Sequence, residues 1–147
     1  MLAGGMFGAM MSRVVLLALV VAPLGIAASA GPAAALTCSS ADVVLVKVKA
    51  TPATVPSGSE VTIVNKGLNC TDATQEVSVV TKAFAPAPCG DGSGITSTDS
   101  VTFAPHQHIR KTQTFVPDAC PGQYRYVIAA YQGSTRLSKS AAEFTAL

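Results

Sequence analysis

The stretch that decides the fold is residues 120–131, which read Cys120-Pro121-Gly122-Gln123-Tyr124-Arg125-Tyr126-Val127-Ile128-Ala129-Ala130-Tyr131. A Pro-Gly turn signal leads into a run of aromatic and β-branched residues that is long enough to cross a sheet. With the two-residue period of a strand, Tyr124, Tyr126 and Ile128 face one side and the residues between them face the other. We predict that Tyr124, which enters the strand just after the turn, caps one end of a sheet.

Strand and turn signals continue along the chain on both sides of this stretch. The seven candidate strands are residues 43–49, 61–65, 76–82, 100–103, 109–116, 124–131 and 137–145. Prolines and glycines separate them, and we expect Lys66-Gly67 to close the second strand and residues 86–97 to form a long loop. No window has the periodicity of an amphipathic helix. Seven short strands at this spacing predict an all-β sandwich.

The first 35 residues are predicted to be a secretory signal peptide, and residues 36–147 the mature domain. Arg13 precedes the apolar run 14–22, and small residues predict cleavage after Ala30 or Ala35. The run is shorter than the ~20 residues of a membrane span, so we expect no membrane association after cleavage. Without Arg13 the chain keeps 9 of its 10 Lys and Arg residues against 8 Asp and Glu residues. This balance lacks the basic stripe of a nucleic-acid-binding protein, and we predict a secreted, extracellular domain.

One segment resembles a known family. The run Thr51-Pro52-Ala53-Thr54-Val55-Pro56-Ser57-Gly58-Ser59-Glu60-Val61-Thr62-Ile63 is similar to the opening of immunoglobulin-like domains in exported actinobacterial proteins. The ending, Val116-Pro117 and then Pro121-Gly122-Gln123-Tyr124, resembles theirs too. The resemblance implies an antiparallel β-sandwich of about seven strands with a tyrosine corner at Tyr124, and it says little about activity. Many of these domains have a cysteine at the end of the penultimate strand, where this chain has Ala130-Tyr131, so their usual bridge is absent.

Four cysteines of an exported domain are expected to form two disulfides, and the sequence alone allows three pairings. In the sandwich topology Cys38 and Cys70 lie at one end, and Cys89 and Cys120 lie at the other. Cross-pairing would exceed the Cα separation of ~7 Å that a disulfide tolerates. The sandwich therefore implies the bridges Cys38–Cys70 and Cys89–Cys120. No C-x-x-C spacing points to zinc.

The residues that could carry chemistry are few. His106-Gln107-His108 places two imidazoles on one side of an extended stretch, which is a possible start for a copper or zinc site. No third ligand lies nearby in the sequence, so we predict no metal site and no cofactor, with His106 and His108 as the residues to examine. No serine, cysteine or histidine has a neighbour that would activate a nucleophile. We predict that the protein is not an enzyme.

These observations leave a binding function. We expect a non-enzymatic binding or interaction module whose partner is an unknown protein or small ligand outside the cell. One alternative is a small-molecule carrier that resembles the secreted chromophore-binding proteins, which are disulfide-bridged immunoglobulin-like domains. Another is an inhibitor of extracellular proteases that presents the loop around Cys89. A concave apolar pocket would favour the carrier, whereas a flat face or a protruding loop would favour the interaction module.

Overall fold

The computed structural model describes residues 35–147 except residues 88, 118 and 119. The predicted signal peptide lies outside the described residues apart from Ala35. The described residues form eight strands: β1 Val44–Thr51, β2 Thr54–Val55, β3 Val61–Asn69, β4 Gln75–Phe84, β5 Ile95–Phe103, β6 His108–Phe115, β7 Gly122–Gln132 and β8 Thr135–Ala146. Within this part of the chain no helix is long and apolar enough to cross a membrane.

The strands form two sheets, which confirms the predicted all-β sandwich. One sheet has three strands in the order β1-β3-β6, and the other has five in the order β2-β8-β7-β4-β5. All neighbouring strands are antiparallel except β2, which pairs in parallel with β8 through Thr54 and Val55. The expected number of strands was one too low because two residues are too few to show a strand period.

One side of the sandwich is closed and the other is open. On the closed side β1 packs against β8, where the backbone N–H of Val46 donates to Ser138 Oγ at 3.0 Å. The N–H of Val48 donates to Ser140 Oγ at 3.2 Å in the same way. These serines tie the free edge of the three-stranded sheet to the facing sheet. The opposite edges, β6 and β5, border the open side.

The core lies between the sheets and is formed by alternate residues of the strands. Tyr124, Tyr126 and Ile128 of β7 are all buried on this inner face, as the two-residue period predicted. The inner faces of the other strands contribute Val44, Val46, Val48, Val61, Ile63, Val77, Phe103 and Phe144. Arg125, on the outer face of β7, is exposed, although Val127 and Ala129 beside it are buried.

The predicted end of the second strand was wrong, because β3 continues through Lys66 and Gly67 to Asn69. Gly67 is not a turn residue. A Cβ placed on it would lie 2.7 Å from Cζ of Phe103, so the ring of Phe103 occupies the space that any side chain would need. A glycine inside a strand often marks such a close approach of another group.

The predicted loop 86–97 was also too long, because β5 begins at Ile95 and not at residue 100. Gly94, which has a φ of 70°, ends the loop, and β5 then pairs with β4 from Ile95 opposite Ala83. Residues 95–100 are all exposed on an edge strand and include only one apolar side chain, Ile95. Hydrophobic alternation therefore gave no signal for this half of the strand.

The two disulfides lie at opposite ends of the sandwich. Cys38 and Cys70 are bridged with their Cα atoms 5.7 Å apart, beside the start of β1 and the end of β3. Cys89 and Cys120 are bridged with a Cα separation of 6.2 Å and join the loop after β4 to the segment before β7. These are the two pairs that the sandwich topology implied.

Candidate functional site

The open side of the sandwich encloses a cleft of about 500 Å³ between the edge strands β5 and β6. Strands β3, β4 and β7 form its floor, together with Val46 of β1 and Phe103 at the end of β5. This volume falls within the roughly 300–1,000 Å³ that small-molecule sites in proteins usually have. The cleft exists because neither a further strand nor a loop among the described residues covers the gap between the two sheet edges.

The floor of the cleft is apolar. Phe103, Tyr126, Ile128 and Val46 are buried there, and each is less than 8% exposed. Half-buried side chains extend the same surface towards the mouth: Val79, Ala83, Val101, Ile109 and Phe115. Ile95 stands at the rim with 79% of its surface exposed. An apolar ligand placed in the cleft would cover this side chain and the floor together.

The rim of the cleft is polar and carries one charge of each sign. Ser97 and Asp99 of β5 and Lys111 of β6 line it, and all three are exposed. Among the residues that line the cleft, Nε2 of Gln113 on β6 donates to the hydroxyl of Tyr126 on β7 at 2.8 Å. This hydrogen bond joins the two sheets across the cleft and fixes the orientation of the tyrosine ring.

Asn65 is the polar residue in the floor of the cleft. It lies on β3, the central strand of its sheet, between Val48 of β1 and Lys111 of β6 in the strand register. The side chain lines the cleft, the residue is only 9% exposed, and no described residue donates a hydrogen bond to its fully enclosed Oδ1. A buried acceptor without a partner costs about 1–3 kcal/mol of folding free energy.

A second buried asparagine on the same strand shows how such a side chain is normally satisfied. Nδ2 of Asn69 donates to the carbonyl oxygens of Ala73 at 2.7 Å and Ala104 at 2.9 Å. Its Oδ1 accepts from the backbone N–H of Thr71 at 2.9 Å. Asn69 therefore ties the β3–β4 turn to the end of β5 and has a structural role. Oδ1 of Asn65, by contrast, has no hydrogen-bond partner among the described residues.

Asn65 was not predicted as a site residue because its position was expected to be the end of a strand. The signal that could have found it is its place in the alternation after Val61 and Ile63, which makes it an inward polar residue once the strand is extended. The cleft residues of β5 were missed for the same reason, since the predicted loop covered Ile95 and Ser97.

The two candidate metal ligands do not come together with a third ligand. Nε2 of His106 lies 2.7 Å from Oδ1 of Asp72, and both side chains are exposed. His108 is exposed at the start of β6. Among the described residues no group of three or more His, Cys, Asp or Glu side chains could hold a metal ion.

Tyr124 is buried near the start of β7. The residue is 3% exposed, and its hydroxyl donates to the carbonyl oxygen of Cys120 at 3.0 Å. Its ring stacks on Phe144 with the ring centroids 5.2 Å apart, and Phe115 meets it edge-on. The contacts link β7, β8 and β6 at the end of the core that the Cys89–Cys120 bridge closes.

Two aspartates have lowered pKa values, and both lie in exposed turns. The backbone N–H and then the hydroxyl of Ser39 lower the pKa of Asp42 by hydrogen bonding to its carboxylate. The hydroxyl and then the N–H of Ser93 lower the pKa of Asp91 in the loop near Cys89. Both are local turn motifs in which a short acidic side chain binds the backbone two or three residues away. Neither carboxylate lines the cleft.

The fold is shared with solved structures of low sequence identity. The crystal structure of the CARDB domain of the PF1109 protein from Pyrococcus furiosus, in complex with di-metal ions, matches with a TM-score of 0.56 and 14% identity. The match covers 71% of this chain and 87% of that one. The solution structure of the same domain matches with a TM-score of 0.52 and 16% identity, over 71% of this chain and 92% of that one.

A third structure is the Pseudomonas fluorescens alkylpurine DNA glycosylase AlkC bound to DNA containing an abasic site analog. Its TM-score is 0.52 and its identity 21%, over 72% of this chain but 31% of that one. No family model matches the chain, and the search of curated proteins finds no similar sequence. The comparisons therefore show an immunoglobulin-like, CARDB-like β-sandwich.

Proposed function

We propose that this chain is an exported, non-enzymatic binding domain and that the cleft between β5 and β6 is its ligand site. The observation that carries the proposal is the cleft itself: an apolar concavity of about 500 Å³ with a polar rim, on the open side of a sandwich whose other side is closed. A concave apolar pocket with a few polar groups is the usual form of a small-molecule site. Within the binding functions that the sequence left open, the cleft favours the small-molecule carrier.

Export is supported by the disulfides. Two bridges account for all four cysteines, and disulfides form and persist in oxidising compartments such as the extracellular space. The predicted signal peptide agrees with this location. The exported protein is then a disulfide-bonded domain with its ligand site open to the extracellular solution.

A binding function without turnover is supported by the chemistry of the cleft. Its polar residues are hydroxyls, amides and one charge of each sign, and no histidine or cysteine lines it. A nucleophilic hydroxyl needs a base within hydrogen-bond reach, and the described histidines lie outside the cleft. The lining therefore favours holding a molecule over transforming it.

We predict that His106 and His108 do not form a metal site, and this prediction can be tested directly. The CARDB domain of the PF1109 protein binds two metal ions in its crystal structure, so the question is worth asking of this chain. Zinc or copper should give weak, non-saturating shifts of the imidazole NMR signals, since the pair lacks a third ligand in the described residues. Saturable micromolar binding that a His106→Ala, His108→Ala double variant abolishes would contradict this prediction.

The cleft is tested with a neutral, apolar fluorescent probe, N-phenyl-1-naphthylamine, titrated into the disulfide-bonded protein. We expect saturable one-to-one binding with enhanced emission, because the probe leaves water for an apolar floor. Ser97→Phe places a large ring at the mouth of the cleft and should weaken binding at least tenfold.

The matched control is Thr98→Phe, because Thr98 is the next residue of the same exposed edge strand and does not line the cleft. This variant should bind the probe as tightly as the wild type. Equal losses in the two variants, or no saturable binding by the wild type, would contradict the proposed site.

A further inference from the structure

We infer that the outer face of the five-stranded sheet carries a second binding site, which takes a small aromatic or apolar molecule that bears an anionic group. The site is a depression of about 220 Å³ on β4, β7 and β8, on the opposite face of the sheet from the cleft. Two observations carry the inference: accessible apolar side chains on a solvent-facing surface, and cations around them without an acid. The lining residues are Val80, Lys82, Phe84, Arg125, Val127, Ala129, Tyr131 and Lys139.

The apolar side chains of the depression occupy positions that are usually polar. An antiparallel sheet with one solvated face normally alternates apolar inward residues with polar outward residues. On β4 the inward residue Val79 lines the cleft, but the outward residues Val80 and Phe84 are apolar as well, and both are half-buried. On β7 the half-buried ring of Tyr131 extends the same surface. These three outward side chains offer a ligand apolar contact that is open to solvent.

Two smaller residues lie beneath this surface and give it its concave shape. Val127 and Ala129 of β7 are 8% and 5% exposed. Ala129 lies opposite Val80 on β4 and opposite Lys139 on β8 in the strand register. The side chains around the two residues are longer, and the apolar stems of lysine and arginine readily cover such neighbours. A ligand therefore contacts the walls of the depression, with Val127 and Ala129 below it.

Three cations line the depression, and none of its eight lining residues is acidic. Lys82 lies opposite Val127 in the register, and Lys139 lies opposite Ala129 on the other side of β7. From the spacing of strands and residues, their Cα atoms are roughly 12 Å apart across the sheet. An anionic group placed above β7 therefore lies between the two ammonium groups, and Arg125 is the third cation on the same face.

The charges of these cations are available to a ligand. Lys82 and Lys139 are exposed and have no hydrogen-bond or ion-pair partner among the described residues. Nε of Arg125 lies 3.9 Å from Oε1 of Glu143, and both side chains are about half exposed. A pair of this kind contributes little to stability, so it competes weakly with an incoming anion. A concave surface with charge of one sign raises the local concentration of the opposite charge.

The occupant is a small molecule because the backbone beneath the depression offers no hydrogen bonds. Strand β4 pairs with β5 and β7, and β7 pairs with β4 and β8, so neither has a free edge at which a further strand can add. Recognition depends on side chains alone. A volume of about 220 Å³ is below the roughly 300–1,000 Å³ of sites that enclose a drug-sized ligand. It matches a molecule of two or three rings that lies on the face of the sheet.

The experiment uses two fluorescent probes, 8-anilinonaphthalene-1-sulfonate and N-phenyl-1-naphthylamine, which differ only in the sulfonate. The host is the Ser97→Phe variant, in which the mouth of the cleft is blocked, so that the outer face is measured by itself. We expect the host to bind the sulfonate probe saturably with enhanced emission, and the neutral probe more weakly. Adding Lys82→Glu and Lys139→Glu should weaken binding of the sulfonate probe roughly tenfold or more at low salt, because both charges near the anion change sign.

The matched control is Lys47→Glu with Lys49→Glu in the same host. It makes the same change of net charge at two exposed lysines of β1 that line neither the cleft nor the depression. This variant should bind the sulfonate probe almost as tightly as the host, because the anion is attracted by the lysines of the depression and not by the net charge of the protein.

Methyl NMR signals of the wild type give a second measurement that needs no variant. Val79 and Val80 are adjacent on β4 and both half-buried, but Val79 lines the cleft and Val80 lines the depression. The sulfonate probe should shift the methyl signals of Val80, and N-phenyl-1-naphthylamine should shift those of Val79.

Binding of the sulfonate probe that falls with Lys82→Glu and Lys139→Glu, and stays with the control, supports the inference. Equal losses in the two double variants, or no saturable binding by the host, overturn it. Methyl signals of Val80 that do not move also overturn it, and would leave the cations to a larger acidic partner. The proposed cleft site is judged separately, by the binding of N-phenyl-1-naphthylamine to the wild type.

Discussion

Replacing Gly67 with alanine tests the packing that shapes the floor of the cleft. The added Cβ would lie 2.7 Å from Cζ and 2.9 Å from Cε1 of Phe103. Carbon atoms in favourable contact lie about 3.5–4.0 Å apart, so the ring must move by roughly 1 Å. Phe103 is 2% exposed, and its only open side faces the cleft. We therefore expect the ring to shift into the cleft and narrow it.

Two opposing effects determine how Gly67→Ala changes the free energy of unfolding. Overpacking of a core by one methyl group usually destabilises a protein by about 1–3 kcal/mol. Glycine in the middle of a strand is itself unfavourable by roughly 0.5–1 kcal/mol relative to alanine, and Gly67 does not have a positive φ that alanine would find strained. The expected net loss is about 1–2 kcal/mol.

Urea unfolding of the disulfide-bonded protein measures this loss. With a slope of about 2 kcal/mol per molar, the middle of the usual range, the midpoint should fall by roughly 0.5–1 M. The control is a double-mutant cycle with Phe103→Leu, which removes the ring that the new Cβ meets. In that background Gly67→Ala should cost nothing or stabilise the fold. An equal loss in both backgrounds, or a gain in the wild-type background, would refute the proposed close approach.

Three further predictions concern the stability of the fold outside the cleft. Tyr124→Phe should lower the free energy of unfolding, measured in urea, by about 1–2 kcal/mol because the buried Cys120 carbonyl loses its donor. Arg125→Ala, on the exposed outer face, should change this free energy little. Equal effects of the two substitutions would contradict the assignment of the two faces of β7. Peptide mapping without reduction should recover Cys89 with Cys120, and replacing both by serine should cost roughly 3–4 kcal/mol by the loop-entropy estimate. An acid titration followed by NMR should give the Asp42 carboxyl a pKa below its ordinary value of 3.8. Its contribution to stability is then fully present above pH 3.8 and is lost as the pH falls through the lowered pKa. A pKa at or above 3.8 would be inconsistent with the Ser39 hydrogen bonds.

The sequence predicted the parts of the fold that depend on local pattern. Tyr124, Tyr126 and Ile128 share a face because a strand period of two is independent of what packs against it. The bridges followed from the topology, since opposite ends of a sandwich are too far apart to be joined. Errors occurred where tertiary contacts override local signals: Gly67 looked like a turn until Phe103 explained its missing side chain.

The site itself could not be predicted from the sequence, for a physical reason. The cleft is the gap between β5 and β6, two strands that do not pair with each other. The local sequence pattern therefore does not predict it. Asn65 is an ordinary polar residue in the sequence, and it becomes notable only when the extended strand turns it inward.

Backbone amide NMR shifts, measured while N-phenyl-1-naphthylamine is titrated into isotope-labelled protein, locate the binding site directly. We expect the largest changes on the strands that line the cleft: β5, β6 and the middle of β3 around Asn65. The outer face of the five-stranded sheet is the internal reference, because the half-buried side chains of Val80, Phe84 and Tyr131 offer the probe another apolar surface there. Shifts concentrated on that outer face, with the cleft strands unchanged, would contradict the claim that the open side of the sandwich is the binding site.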